Sequence, residues 1–437
     1  MTIPTLQGLQ TSLSGLLAEQ TALDTTGNNI ANADTEGYSR QTALLEPNTP
    51  LSIPAISGHT GEGAQLGTGV TVATITRIRN VYLDAQYRTQ NTSLSAAKTQ
   101  AETLVLAQTA FNEPSSAGIA TQLSNFWTAW NELAKSPNNE AAQQGVISAG
   151  TQLTSAFNEL SAQLETISSQ ATEQYNSLTG PSGEVEGDAN QLAQLNGQIK
   201  LAEEAGQPPN DMLDRRDLLL DKLSGMASVT VTELPDHTDT VTFGDAAKPL
   251  VEGTTVNWPQ TLTEAAGGQL GALLNLTGPK GQLTALRTSL DEVASTLASS
   301  VNNHLAKQFF SGETAATLAV AVVEPSEVQA SGSKSAGGNE VALEIAALRG
   351  GEAEQSYGAL VEKVGSDVRS AKDDQTTLQS TLTAIGDLRQ GVSGVSLDEE
   401  MTNLITFQRG YQASARTLTA MDSMLETLIE HTGVVGL

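Results

Sequence analysis

Cysteine is absent from the 437 residues, which excludes disulfide frameworks, thiolate zinc sites, iron–sulfur ligation and thiol nucleophiles together. Positive charge is scarce. Lys and Arg number 22 against 49 Asp and Glu, a formal net charge of −27. Affinity for a phosphate backbone is built from clustered Lys and Arg that release counterions, so nucleic-acid binding is not expected. Aromatic residues make up 4% and the hydrophobic class 38%, thin for a compact enzyme of this length and better suited to extended helices rich in Ala, Gln, Ser and Thr. No run of 18 apolar residues occurs, so no membrane insertion is expected. The first positively charged residue is Arg40. The basic start of a secretory signal peptide is therefore missing, and ordinary signal-peptide export is not expected.

What is present is heptad periodicity at both ends. Leu6, Leu9, Leu13, Leu16, Leu23 and Ile30 follow steps of 3, 4, 3, 7 and 7, with Gln20 and Gly27 in the two skipped places. Leu397, Met401, Leu404, Gln408, Tyr411, Ala415, Leu418, Asp422, Leu425 and Ile429 alternate 4 and 3. Both ends are predicted to be amphipathic helices seeking partners.

Long helices are also predicted between them. Leu83 to Phe111 form one, closed at Pro114; Ile119 to Leu133 a second, stopped at Pro137; residues 140 to 178 a third, ended by Gly180-Pro181. At 1.5 Å per residue the third is roughly 60 Å long, too long for a round domain. Val229–Thr232, a turn at Pro235-Asp236 and Thr240–Phe243 predict a β-hairpin. Residues 267 to 309 return to helix; Ser311 to Asn339 are predicted to be mostly loop, with a short strand at Leu318 to Val323. Tyr357 to Ile385 mark a last inner helix ending near Gly391.

The sequence offers little chemistry. His59, His237, His304 and His431 are far apart and lack metal-ligand spacing. Asp211, Asp214, Asp217 and Asp221, with Arg215 and Arg216 among them, are the best candidate for a polar site. Carboxylates at helical spacing usually solvate a face, so a helix with a capped start and local ion pairs is the expectation. Gly58, Gly61, Gly63, Gly67 and Gly69 lack the ending of a phosphate loop and precede a strand pattern at Val70–Ile75, which points to turns. No catalytic residue, metal site or cofactor is expected.

One segment is distinctive. Asn28-Asn29-Ile30-Ala31-Asn32-Ala33-Asp34-Thr35-Glu36-Gly37-Tyr38-Ser39-Arg40 directly follows the first heptad run. It resembles the signature of the axial proteins of the bacterial flagellum, the rod, hook and hook-associated proteins. Leu397 to Arg416, with its Phe407-Gln408-Arg409-Gly410-Tyr411 centre, is similar to the matching carboxy-terminal motif. Within that family, the long helical middle, Asn210–Asp217 and Gly394–Glu400 look most like the members that join hook to filament.

The resemblance implies a structural, non-enzymatic subunit at the hook–filament junction, exported unfolded through the flagellar type III apparatus and assembled outside the cell. It implies a homo-oligomeric ring in the flagellar axis, flanked by hook protein and by a second junction protein or filament, with an export chaperone on the carboxy-terminal helix. The subunit-packing residues are then Leu6, Leu9, Leu13, Leu16, Leu23, Ile30, Leu397, Met401, Leu404, Tyr411, Leu418 and Leu425. Asn29, Asn32, Gly37 and Tyr38 form the turn after the first helix, Gly supplying positive φ and Asn tolerating it. The fold expected is mainly α, elongated and multi-domain. Residues 1–45 with 392–437 pair as a terminal coiled coil, 46–227 with 346–391 form a long helical domain, and 228–345 form a small outer module with a β-hairpin and helix. A hook or distal-rod protein, richer in strand, is the nearest alternative; an extracellular hydrolase or adhesin displayed on axial-type ends is the more distant one.

Overall fold

The structure, a computed structural model, describes residues 5–53, 64–332 and 337–431. It is mainly helical, with small antiparallel sheets. After helix α1 (Thr5–Ala31) come strands β1 (Gln41–Pro47), β2 (Leu51–Ile53), β3 (Ala64–Leu66) and β4 (Val70–Arg77). β1 pairs with β4, Gln41 opposite Arg77 and Pro47 opposite Val70, and β2 pairs with β3. The strand expected at 70–75 is β4. Its partner β1 is mostly exposed and lacks a clean alternation, so nothing local announces it. Gly58, Gly61, Gly63 and His59 lie outside the described residues.

Four long helices make the body: α2 (Val81–Phe111), α3 (Ile119–Lys135), α4 (Glu140–Thr179) and, later, α10 (Glu352–Ser393). Their starts follow capping chemistry. The Asn80 side chain accepts from the Tyr82 and Leu83 amides, and the Asn139 side chain from Ala141 and Ala142, each satisfying donors that a first turn leaves unpaired. Next come α5 (Glu184–Glu204) and α6 (Asn210–Met226), then a four-stranded meander, β5 (Val229–Glu233), β6 (Asp239–Phe243), β7 (Val251–Glu252) and β8 (Thr255–Val256). The predicted hairpin is β5–β6, with Val229 opposite Phe243.

The chain returns through α7 (Gly268–Thr277), α8 (Gln282–Asn302), the short pair β9 (Phe310–Ser311) and β10 (Ala319–Val320), α9 (Glu340–Ala346), α10 (Glu352–Ser393) and α11 (Leu397–His431). Two expectations need correction here. The helical return expected over 267–309 is broken in two and stops at Asn302, because Gly278 and Pro279 end α7 and Gly281 opens α8. The strand expected over 318–323 is only two residues long.

Two apolar cores organise these elements. The larger joins Leu104, Phe126, Trp130, Phe157, Leu164 and Val364 of the long helices to Leu290 and Leu297 of α8, Phe309 and Phe310, and Ile345 of α9. The second packs Val241, Phe243 and Val251 of the sheet against Leu192 of α5, Leu220 and Leu223 of α6 and Leu270 of α7. The outer module expected over 228–345 is therefore divided differently. Its sheet belongs with α5 and α6, and most of 276–345 shares the core of the long helices, because the Leu stripe of α8 and the Phe309-Phe310 rings fill the groove that α3 and α4 leave.

Candidate functional site at the paired chain ends

α1 and α11 run antiparallel, and a line of small residues sets their spacing. A Cβ added to Gly8 would stand 2.5 Å from Met421 Sδ, and one added to Gly15 would stand 3.1 Å from Ser414 Oγ. Ala22 and Phe407 line the same small cavity of about 50 Å³, and Asn29 bonds to Glu400. Steps of seven along α1 thus match steps of seven back along α11, which is heptad packing with glycine and alanine where leucine was expected.

The leucines lie to either side of that line. Leu9, Leu16, Leu23 and Ile30 are each one residue past a contact position and are half-buried, while Leu13 is 41% and Leu17 53% exposed. The Leu6 side chain lies outside the described residues. On α11, Leu404, Tyr411, Leu418 and Leu425 are half-buried, and Leu397 and Met401 are exposed, as are Ile405 and Met424. The terminal pair thus sets small residues of α1 against larger ones of α11 such as Met421, and leaves Leu13, Leu17, Leu397 and Met401 exposed.

The turn after α1 is built on Asn29, only 1% exposed. Its Nδ2 donates to Gln41 O at 2.8 Å and to Glu400 Oε2 at 3.0 Å. Its Oδ1 accepts from the Gln41 amide at 2.9 Å and from the Tyr38 hydroxyl at 2.8 Å. One amide therefore holds α1, the start of β1, Tyr38 and α11 together. Gly37 has φ +78° and supplies the left-handed step. Asn32 does not share that role: it is not among the positive-φ residues, and its Nδ2 instead bonds back to Asn28 O and Oδ1 at 3.0 and 2.9 Å. Burial, with the Asp211, Asp214 and Glu400 carboxylates nearby, pushes the Tyr38 phenol up to about 12.

Beneath the turn, the acidic residues of α6 form a ladder of buried ion pairs. Asp214, Asp217 and Asp221 follow helical steps of 3 and 4 and face one way. Asp214 accepts from the Ser39 amide and hydroxyl at 2.9 and 2.6 Å and lies 3.0 Å from Arg77 Nη1. Asp217 binds Arg77 at 2.5 Å and Arg88 at 2.8 Å; Asp221 binds Arg88 at 2.9 Å and Arg389 at 2.6 Å. Arg389 continues to Asp84 at 2.7 Å, and Asp84 pairs with Arg79 at 2.7 Å. Burial raises the Asp217 carboxyl, but Arg77, Arg79 and Arg88 together outweigh it and leave the group below the ordinary range.

This corrects the expectation of a solvated helix with local ion pairs. Arg215 is exposed, Arg216 reaches Asp239 at 3.0 Å, and no side chain caps α6, since Asn210 donates to Ile75 O at 2.8 Å instead. Arg77, Arg79, Arg88 and Arg389, which no local pattern singled out, are the true partners, brought from β4, the link between β4 and α2, α2 and α10. The chemistry is cohesive. Every rung is an acid already matched by a base, and among the described residues no group of three or more His, Asp or Glu is placed to hold a metal ion. His237 and His304 lie near Glu233 and Glu344, and the His431 side chain is outside the described residues.

The comparisons with known proteins fall on these same parts. The family model for the flagellar hook-associated protein FlgK helical domain matches residues 106–264. One for flagella basal body rod proteins matches 9–38, and one for the flagellar basal body rod FlgEFG protein C-terminal matches 390–430. Flagellar hook-associated protein 1 of Bacillus subtilis is 30% identical over 99% of this chain and 99% of its own length. That of Salmonella typhimurium is 24% identical over 96% and 98%. A solved flagellar hook junction protein FlgK from Burkholderia pseudomallei is 25% identical, with a TM-score of 0.45 over 51% of this chain and 44% of that one. With a relative 30% identical along essentially its whole length, the chain belongs to the flagellar hook-associated protein 1 family, a family of structural components of the bacterial flagellum.

Proposed function

We propose that the protein forms the junction between hook and filament, as a ring of identical subunits packed through α1 and α11 outside the cell. It catalyses no reaction and takes no cofactor. The observation that carries this reading is the apolar stripe left open on the terminal pair, with Leu13, Leu17, Leu397 and Met401 each between 41% and 53% exposed. Covering one such side chain contributes roughly 1.5–3 kcal/mol, so contacts between copies offset the cost of ordering helices that are weakly stable alone. The packing residues are the half-buried and exposed apolar ones, Leu9, Leu13, Leu16, Leu23 and Ile30 on α1 and Leu397, Met401, Leu404, Tyr411, Leu418 and Leu425 on α11, with Leu6 as part of the same sequence stripe.

Hook protein lies on one side of the ring and a second junction protein or filament on the other. Before assembly the α11 segment is held by an export chaperone; unchanged export after deletion of that chaperone contradicts this part. Electron microscopy of cells lacking the protein tests the main reading. Hooks without filaments are expected, and normal filaments would overturn it.

A further inference from the structure

Glu19 stands in the middle of the α1–α11 contact with no partner of its own. Its Oε2 is buried without a hydrogen bond. Gly410 lies across from it, where an added Cβ would come within 2.5 Å of Oε1, so the glycine leaves the space that the carboxylate fills. Burial pushes the Glu19 carboxyl above its ordinary range. In the isolated protomer no protein group offsets the cost of covering this one carboxylate oxygen, although the residue as a whole is half-buried.

The charges of the two helices are complementary at this level. Residues 1–39 contain no Lys or Arg, and α1 carries only Glu19 and Asp24. From Met401 to Met421, α11 contains no Asp or Glu and two cations, Arg409 and Arg416. Both are exposed, and neither makes an ion pair among the described residues. They are one heptad apart, and Arg409 is the neighbour of Gly410 in sequence. A base on α11 is thus left over at the height where α1 has an acid left over.

We propose that the Glu19 carboxylate receives a guanidinium, from Arg409 or Arg416, on α11 of a second copy of this chain. The proposal rests on the reading that the terminal helices pack between copies. The contact gives the apolar stripe a register along the axis: sliding one copy past the next separates the charges and leaves the covered carboxylate oxygen without a partner.

Mixing charge-reversed chains tests it. Glu19→Lys, Arg409→Glu and Arg416→Glu are produced singly, and the first is also co-produced with each of the others in cells lacking the native protein. Filament-bearing cells fall about tenfold or more with Glu19→Lys alone, since like charges then meet across the contact. They return to within about twofold of the native level in one of the two mixtures, and that mixture identifies the arginine. Rescue by mixing separate chains requires the pair to lie between copies. A harmless Glu19→Lys, or mixtures no better than the single chains, overturns the proposal. Should Glu19→Lys fail to be secreted, Glu19→Gln combined with Arg409→Gln or Arg416→Gln replaces it. Losses that do not add are expected for one of these pairs, and purely additive losses for both overturn the pairing. If Leu13→Asp blocks incorporation while these reversals do nothing, the charge pair fails and the packing reading stands; if neither variant has an effect, both fail.

Discussion

The Asn29 amide donates to the Glu400 carboxylate at 3.0 Å and so joins residues 371 positions apart. Glu400 is 2% exposed, and Arg40 reaches it only at 4.0 Å while binding the more exposed Glu399 at 2.5 Å. The contact therefore ties the first helix to the last at the level where both meet the body of the molecule.

Asn29→Ala removes four hydrogen bonds at once and leaves the Glu400 carboxylate and the Gln41 amide without their partner. A loss of about 1–3 kcal/mol in local stability is expected from an unsatisfied buried polar group. It is read as faster amide hydrogen exchange over residues 29–41, with the larger helical core unchanged. Exchange equal to the native protein there would contradict the role given to Asn29.

Asp217→Asn is expected to cost about 1.5–3 kcal/mol in urea unfolding, because Arg77 and Arg88 lose the carboxylate they share and keep only Asp214 and Asp221. Arg215→Ala, on the same helix but exposed, is expected to change stability by no more than about 0.5 kcal/mol. Equal effects would remove the distinction between ladder and surface.

The ladder also sets an acid dependence. The folded-state carboxyl of Asp217 lies below its unfolded value, so its contribution is fully present above about pH 3.9 and is lost as pH falls through the lower folded value. Arg77, Arg79 and Arg88 face it, and Asp84, Asp214 and Asp221 stand on neighbouring rungs of the same network. Unfolding measured from pH 7 to pH 2 should show the native protein losing its advantage over Asp217→Asn at the acid end. A difference that is constant across the range would contradict this assignment.

Gly15→Leu places a branched chain where a single Cβ already comes within 3.1 Å of Ser414 Oγ. The two helices must then separate, at a cost of about 1–3 kcal/mol for overpacking. Limited proteolysis should cut α1 and α11 faster and leave α2–α4 intact; protection like that of the native protein would show that the helices do not depend on this spacing.

Much of this architecture was legible in the chain, and the rest was hidden for definable reasons. Heptads marked α1 and α11, since a period near 3.5 needs no knowledge of the partner, and long helical stretches marked α4 and α10. The Leu stripe of α1 did not announce the small residues that also meet α11. Gly8, Gly15, Ala22 and Asn29 lie on that face, one residue before Leu9, Leu16, Leu23 and Ile30. The same heptad in small residues was available, but small side chains carry little hydrophobic signal. The acids of α6 were visible and their partners were not: Arg88 lies 129 positions from Asp217, and Arg389 lies 168 from Asp221. Likewise, the sharing of one core by α8, α9 and the long helices depends on contacts between distant segments, which periodicity alone does not report.

In the proposed ring, the open stripe of the terminal pair belongs to neighbouring copies. Leu13, 41% exposed in the protomer, is the residue to ask. Purified Leu13→Asp should unfold within about 0.5 kcal/mol of the native protein, as a surface substitution does, while cells making only that chain show hooks without filaments under the electron microscope, because an unpaired charge would have to be buried between copies. Normal filaments and normal swimming in those cells would contradict it.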